Sequence, residues 1–327
     1  MKYLYLKLQQ FWSHCYLWID HSASITQQAL LSDADLQAIR DYAKSLPYSL
    51  FNHIQQAASQ RIGEVPSFFR GQGLEFEENR PYQNGDEQRL INWRLYARTQ
   101  TLYSKIYTEE RKQQAYLVID RRANMRFATR KQLKVTLATK LALCYLFQAK
   151  QQSINVGACV LNERTSWIES VQRDSFQTLA QALTSAASPL PFDSEQQNLE
   201  ETLKQLLQRI RSGSYIVIIS DFSDLDPSAT TSLITQLAAK HTVKAIQIYD
   251  PVERQLPQTG NIVIEDKHSA SPIIINTQDE LLQKRYSRTY EKHQSALSDL
   301  FHKNGIDIQV FSTEDEYTAC MGAINAG

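Results

Sequence analysis

From residue 115 onward, the chain alternates between short apolar segments and longer amphipathic segments. Residues 115–120 (AYLVID) and 214–221 (SYIVIISD) contain few polar residues before their final aspartate. Such runs are typical of strands in the middle of a sheet that helices cover on both faces. Because strands and helices alternate, the strands are expected to pair in parallel through right-handed crossovers. The sequence therefore predicts a doubly wound, mostly parallel α/β sheet with helices on both faces.

The remaining elements are predicted from hydrophobic periodicity and from turn residues. Strands are predicted at 154–162, 165–171, 242–250 and 306–313, a small hairpin within 261–277, and helices at 33–46, 131–151, 174–187, 198–211, 228–241 and 278–303. Asp33 or Asp35 is the expected N-cap of the first helix. Asp224 or Asp226 is expected to cap the helix that follows Pro227.

The chain divides into three predicted regions. With 327 residues, of which 42% are hydrophobic, it is long enough to bury a sizeable core. We predict an N-terminal helical extension over 1–65 and an irregular or β-rich segment over 66–114 that packs on the sheet. The α/β domain itself is predicted over 115–327.

Charge and cysteine usage limit the classes of partner. The 35 basic residues are balanced by 35 acidic ones, so no global field attracts nucleic acid. Four scattered cysteines without a CxxC pair favour a reducing environment, and we expect a cytoplasmic protein. Residues 1–21 are aromatic but too polar to cross a bilayer, so no transmembrane segment is predicted. Trp12, Tyr16 and Trp18 either touch a membrane peripherally or pack on the protein's own body, and the second interpretation is preferred.

Two of the predicted central strands end in an aspartate, Asp120 and Asp221. Ligands of open α/β sheets bind at the carboxyl ends of such strands. Two carboxylates that converge there repel each other unless a cation lies between them. The preferred cation is the guanidinium of Arg122 paired with both carboxylates, and a divalent metal ion is the alternative. A third interpretation leaves Arg122 in solvent and makes Asp120 a cap of its turn.

Residues 70–111 form a dense segment of glycine, charged and aromatic residues. Its characteristic positions are Gly71, Gly73, Glu75, Phe76, Arg80, Tyr82, Gly85, Asp86, Arg89, Trp93, Ala97, Arg98, Lys105 and Glu110. In this order and spacing they resemble the signature of the bacterial domain-of-unknown-function family 58 (DUF58), which is similar to von Willebrand factor A domains. The stretches IISDFSD (218–224) and YDPVERQLP (249–257) resemble later parts of the same family. The resemblance runs from about residue 66 to residue 320.

The resemblance implies a von Willebrand factor A-like fold and an interaction role. Members of the family are associated with MoxR-type AAA+ ATPases, so the implied partner is such an ATPase or its client protein. No catalytic reaction is established for the family. We therefore predict a non-catalytic adaptor that needs no cofactor.

The resemblance also implies where a metal would bind. The metal-ion-dependent adhesion site of von Willebrand A domains takes Mg²⁺ or Mn²⁺, and its ligand positions correspond here to Asp120, Asn124 and Asp221. Arg122 stands at a serine position of that site, and a guanidinium has no acceptor atom. We predict a degenerate site that has lost its ion. The surrounding partner-binding rim is predicted to consist of Arg122, Ser220 and Phe222.

The charged residues of the signature segment admit two interpretations. Glu75, Arg80, Asp86, Arg89 and Arg98 either form a surface that recognises an acidic ligand or partner, or pair with one another and fix an irregular segment. The structural interpretation is preferred, because nothing in the segment marks a substrate.

The alternative function is a metal-dependent hydrolase or phosphatase that uses Asp120 and Asp221. The sequence contains no HExxH pair, no G-x-S-x-G elbow and no phosphate-binding glycine loop. A non-enzymatic role is therefore favoured.

Overall fold

The structure is a computed structural model that describes residues 31–46, 51, 74–83, 86, 88–109, 114–126, 128–162, 165–168, 175–184, 198–264 and 273–326. The chain forms two compact units. The larger comprises Met1–Ile54 and Gln114–Gly327, and the smaller comprises Gln55–Gln113. The aromatic residues Trp12, Tyr16 and Trp18 lie outside the described residues.

Helix α1 (Asp33–Ser45) belongs to the core of the larger unit. Its N-cap is Ser32, whose hydroxyl accepts from the Asp35 backbone while the Asp35 carboxylate accepts from the Ser32 backbone. The predicted caps, Asp33 and Asp35, are therefore first-turn residues. Ile39 and Ala43 are buried in the main core, so this helix of the predicted N-terminal extension packs on the larger unit.

The smaller unit contains a β-hairpin and a short helix. Strand β1 (Leu74–Pro81) pairs antiparallel with β2 (Tyr103–Glu109). A 3₁₀ turn (Gln88–Leu90) and helix α2 (Trp93–Thr99) connect them. The hairpin agrees with the predicted β-rich segment, whereas α2 was not predicted. Packing of this segment on the sheet stays a prediction.

The larger unit contains a six-stranded sheet. Its strands are β3 (Gln114–Asp120), β4 (Asn155–Leu161), β5 (Thr165–Ile168), β6 (Tyr215–Ser220), β7 (Thr242–Tyr249) and β10 (Asp307–Ser312). The spatial order is β10-β7-β6-β3-β4-β5, and every pair is parallel except the terminal pair of β4 with β5. A separate hairpin consists of β8 (Asn261–Ile264) and β9 (Ile273–Asn276). The predicted doubly wound, mostly parallel sheet is confirmed.

Helices cover both faces of this sheet. They are α3 (Lys134–Gln151), α4 (Ser175–Thr184), α5 (Leu199–Arg209), α6 (Thr231–Lys240), the short α7 (Pro251–Arg254), α8 (Glu280–Lys303) and α9 (Tyr317–Ala326). Alternate residues of the central strand β6 enter different cores, with Val217 on the side of α3 and Ile218 on the side of α5. Burial on both faces is the reason that this strand is apolar throughout.

None of the helices in the described part of the chain is long and apolar enough to cross a membrane. The cytoplasmic location inferred from composition stays a prediction.

Candidate functional site

The two strand-terminal aspartates lie at the carboxyl ends of adjacent strands. β3 and β6 pair in parallel, with Ile119 opposite Ile219, so the residues that follow come out side by side. Asp120 is 1% exposed and Asp221 is 7% exposed. Ser220 is the last residue of β6, and its hydroxyl donates to Asp120 Oδ2 over 2.7 Å. The side of the sheet at which the parallel strands end, the carboxyl edge, therefore contains two buried carboxylates that both need a counter-charge.

Arg122 supplies the counter-charge of Asp120. Its Nε and Nη2 donate to the two carboxylate oxygens of Asp120 over 3.0 and 2.7 Å. Nη1 and Nη2 also donate to Asp224, over 2.5 and 3.0 Å. The predicted guanidinium fork is present, but its second carboxylate is Asp224 and not Asp221. The N-cap of α6 is Thr230, so neither Asp224 nor Asp226 is the cap as expected. Asp224 instead accepts from Arg122 and from the backbone of Leu199.

Burial and charge act on Arg122 in opposite directions. Burial alone would lower the pKa of the Arg122 guanidinium, but the carboxylates of Asp120 and Asp224 outweigh it and raise that pKa above its ordinary value. The arginine is therefore a permanent cation inside the edge of the sheet.

Lys134 supplies the counter-charge of Asp221. This lysine is the first residue of α3, its side chain is 0% exposed, and its Nζ lies 2.8 Å from Asp221 Oδ2 and 2.5 Å from Glu253 Oε1. Burial would lower the pKa of Lys134, yet the two carboxylates outweigh burial and raise it. For Asp221, burial acts upward but the attraction of Lys134 lowers the pKa below its ordinary value. For Glu253, burial prevails and raises the pKa. Neither Lys134 nor Glu253 is among the site residues predicted from the sequence.

The predicted metal ligands do not form a site that fits a divalent cation. Asn124 directs its amide nitrogen toward both oxygens of Asp221, over 2.8 and 2.9 Å, rather than its carbonyl. The carboxylate oxygens of Asp120 and Asp221 already accept from Arg122, Ser220, Asn124 and Lys134. Two buried cations beside these oxygens would repel a third. In the described ranges, no group of three His, Cys, Asp or Glu side chains is arranged to hold a metal.

The predicted partner-binding rim is wrong for all three of its residues, because they are buried. Arg122 is 4% exposed, and Ser220 and Phe222 are 0% exposed. The Phe222 ring packs against Phe301 with 5.3 Å between ring centroids. Its backbone has φ 54°, a left-handed conformation that is uncommon outside glycine and that turns the ring inward. Ordering of the loop after β6 therefore depends on these side chains, and they offer no surface to a partner.

An open cleft lies beside the buried residues. It has a volume of about 630 Å³, and its walls come from the ends of β7 and β10, from α7 and from α8. Tyr249, Arg254, Glu291, Ser312 and Glu314 are among its lining residues. Because Glu253 belongs to the same short helix as Arg254, the ion pair with Lys134 fixes one wall of the cleft.

Asp250 joins three loops at this edge. It is 0% exposed, and it accepts from the backbone and hydroxyl of Thr129 over 2.9 and 2.6 Å, from the Thr313 hydroxyl over 2.9 Å, and from the Val252 backbone over 3.1 Å. Thr129 precedes α3, and Thr313 follows β10. The carboxylate thus connects the loops after β3, β7 and β10.

Replacing Asp250 with Asn is expected to lower the free energy of unfolding by about 1–3 kcal/mol. Each carboxylate oxygen accepts from one backbone N–H, of Val252 or of Thr129, so either orientation of an amide places its NH₂ against a donor. Urea denaturation followed by circular dichroism measures the change. Asp279→Asn is the control, because Asp279 is the N-cap of α8 and Asn caps equally well. Equal stability of the two variants would contradict this role of Asp250.

The charged residues of the signature segment are only partly brought together. Arg80 Nη2 donates to Asp86 Oδ1 over 2.5 Å, and Asp86 also accepts from the Gln83 backbone over 3.0 Å. Arg89 and Arg98 are exposed. The Glu75 side chain lies outside the described residues. The preferred structural interpretation thus holds for the pair Arg80–Asp86, while Arg98 makes no ion pair with any residue that the structure describes.

Comparison with known proteins gives the family. The model of the family "Protein of unknown function DUF58" matches residues 78–296. An uncharacterized protein of Mycobacterium tuberculosis (strain H37Rv) and one of Mycobacterium bovis are each 26% identical over 258 residues, which cover 79% of this chain and 79% of each relative.

Solved structures show more distant likenesses. An aerotolerance-related membrane protein from Bacteroides fragilis is 15% identical with a TM-score of 0.40, over 65% of this chain and 97% of that one. The conserved hypothetical protein BatB from Bacteroides thetaiotaomicron is 14% identical with a TM-score of 0.40, over 65% and 95% of the two chains. A von Willebrand factor type A protein from Catenulispora acidiphila is 10% identical with a TM-score of 0.32, over 45% and 35%.

The sheet is mostly parallel with one antiparallel strand at its edge, as predicted. The family model matches well over half of the chain, including most of the signature segment and the strands that end in Asp120 and Asp221. This chain is therefore a member of the DUF58 family.

Proposed function

We propose that this protein is a non-catalytic interaction module, and that it binds a MoxR-type AAA+ ATPase through the carboxyl edge of its sheet. One observation supports the non-catalytic role most strongly: the buried carboxylates of the edge are neutralised by Arg122 and Lys134 of the same chain. An edge neutralised in this way needs no metal ion, and it stays ordered in the absence of a ligand.

The hydrolase alternative is poorly supported by the same contacts. A general base or a metal ligand needs a free lone pair that faces a substrate. Asp120 is 1% exposed and accepts from Arg122 and Ser220, while Asp221 accepts from Lys134 and Asn124. A substrate would have to displace these donors before either carboxylate could react.

The cleft at the ends of β7 and β10 is an accessible part of this edge. It presents charges of both signs, Arg254 on one wall and Glu291 and Glu314 on others, beside the half-buried ring of Tyr249. A polar and charged rim around an aromatic residue is typical of protein interfaces that form and dissociate. We propose that the ATPase contacts this cleft.

The proposal is tested with the full chain and a MoxR-type ATPase from the same organism. Surface plasmon resonance would measure binding of the wild type and of the double variant Arg254→Glu/Glu291→Lys, which is expected to bind about tenfold more weakly. The matched control is Arg211→Glu/Lys240→Glu, which changes exposed charges near the amino ends of β6 and β7.

Equal affinity of the two double variants would contradict the proposed contact surface. Absence of binding by the wild type would contradict the proposed partner. In the same preparation, Mn²⁺-dependent turnover of p-nitrophenyl phosphate would favour the hydrolase alternative, whereas calorimetry without a heat of Mg²⁺ or Mn²⁺ binding would support an edge that needs no ion.

A further inference from the structure

Helix α2 of the smaller unit exposes two large aromatic side chains. Trp93 is 59% exposed and Tyr96 is 39% exposed. Their rings contact each other edge to face, with 6.1 Å between centroids and an interplanar angle of 89°. Single exposed apolar residues are common on protein surfaces, but a packed pair that includes a tryptophan is a concentrated apolar surface.

Residues outside the aromatic pair connect α2 to the β-hairpin. Other residues anchor the helix: Asn92 caps it by accepting from the Leu95 backbone over 3.2 Å, and donates to Asn79 Oδ1 of β1 over 2.9 Å. Ile91 is buried and pairs with Ser104 of β2 through an isolated antiparallel β-bridge. Trp93 and Tyr96 lie three positions apart, which places them on one face of the helix, and both remain exposed beside these anchoring contacts.

Positive charge surrounds the pair. Arg94 and Arg98 lie one helical turn apart on α2, are exposed, and make no ion pair with any described residue. The stretch 88–105 contains four basic residues, Arg89, Arg94, Arg98 and Lys105, and no acidic one. In a chain with 35 basic and 35 acidic residues, the exposed Arg94 and Arg98 carry a local positive charge that a partner can neutralise.

We propose that Trp93, Arg94, Tyr96 and Arg98 form a second docking surface, the α2 face, which binds an acidic segment of a partner protein. Tryptophan, tyrosine and arginine are the residues that most often contribute the binding free energy of protein interfaces. Carboxylates of the bound segment pair with Arg94 and Arg98, and its aliphatic side chains cover the rings of Trp93 and Tyr96. The α2 face belongs to the smaller unit, whereas the carboxyl edge belongs to the larger unit.

Two other classes of partner fit the α2 face less well. Membrane binding by an amphipathic helix needs a long apolar face, whereas α2 has seven residues and only two large exposed apolar side chains. Single-stranded nucleic acid stacks its bases on open aromatic faces. Here the edge-to-face contact directs one ring against the other, so the pair offers a limited platform for bases.

The test uses the full chain and a fluorescein-labelled peptide rich in Glu and Leu, with binding measured by fluorescence anisotropy. The wild type is expected to bind this peptide, and to bind more weakly as the salt concentration rises. The variants Trp93→Ala/Tyr96→Ala and Arg94→Glu/Arg98→Glu are each expected to weaken binding about tenfold or more. A peptide with Lys in place of each Glu is expected not to bind.

Matched controls change equally exposed residues elsewhere. The exposed side of α8 contains Leu281, Arg285 and Arg288. The variants Arg285→Glu/Arg288→Glu and Leu281→Ala are expected to bind the acidic peptide like the wild type. Circular dichroism checks that every variant is folded. Unchanged affinity in both α2 variants would overturn the proposal. It would also be overturned if single-stranded DNA or phosphatidylglycerol vesicles bound in an Arg94- and Arg98-dependent manner while the acidic peptide did not.

Discussion

Replacing Lys134 with Met is expected to lower the free energy of unfolding by about 3–5 kcal/mol. The lysine is 0% exposed and lies between Asp221 and Glu253, which are 5% and 17% exposed. Without the ammonium group, two partly or wholly buried carboxylates lose the cation that they share. The cost of an uncompensated buried charge greatly exceeds the small gain from a better-packed apolar side chain. Urea denaturation monitored by circular dichroism measures the loss.

Two further variants separate charge from packing. Lys204→Met removes an exposed lysine that pairs with Glu200 over 2.8 Å on α5, and it is expected to leave stability close to that of the wild type, because water solvates the remaining carboxylate. The triple variant Lys134→Met/Asp221→Asn/Glu253→Gln removes the charges together, and it is expected to recover most of the lost stability. If the single Lys134 variant were as stable as the control, Lys134 would not neutralise the edge of the sheet.

Replacing Arg122 with Met is expected to have a comparable effect, a loss of about 3–5 kcal/mol in the free energy of unfolding. Asp120 would then be buried with only the Ser220 hydroxyl and backbone donors, and Asp224 would lose its cation. The loss is measured by urea denaturation, as for Lys134. Addition of Mg²⁺ is not expected to restore stability, since Asn124 directs its amide nitrogen toward Asp221.

The Lys variant tests the geometry of the fork. Arg122→Lys keeps the charge but not the planar set of donors that contacts both oxygens of Asp120, so we expect an intermediate loss of about 1–3 kcal/mol. The control is Arg98→Met, because Arg98 is exposed and makes no ion pair within the described residues. A gain of stability on addition of Mg²⁺ to Arg122→Met would show that the arginine occupies the place of a metal ion.

The position of the candidate site followed from strand order and strand ends. Asp120 and Asp221 were expected to converge because they end neighbouring parallel strands, and the structure places them at the ends of β3 and β6. The contact of the Arg122 guanidinium with Asp120 could also be predicted, since the two residues are only two positions apart. These features depend on backbone topology and on short sequence separations.

The remaining contacts of the site could not be predicted from the sequence in the same way. In the sequence, Lys134 is one polar residue at the start of an apolar helix, and Glu253 belongs to a capped turn. Their contact joins residues 119 positions apart, and Arg122 reaches Asp224 across 102 positions. Phe222 and Ser220 were expected on a surface because they flank Asp221, but a left-handed backbone at Phe222 turns its ring into the core.

The local hydrophobic periodicity was enough to predict the doubly wound sheet and the edge at which a site would form. Burial on one or both faces of an element produces a regular pattern of apolar residues in the sequence. The contact of Arg122 with Asp224 and the contacts of Lys134 with Asp221 and Glu253 required the folded chain. Ion pairing depends on distances of a few ångström between side chains whose positions are set by packing of separate elements. For the same reason, only the folded smaller unit showed which of its aromatic and arginine residues remain accessible.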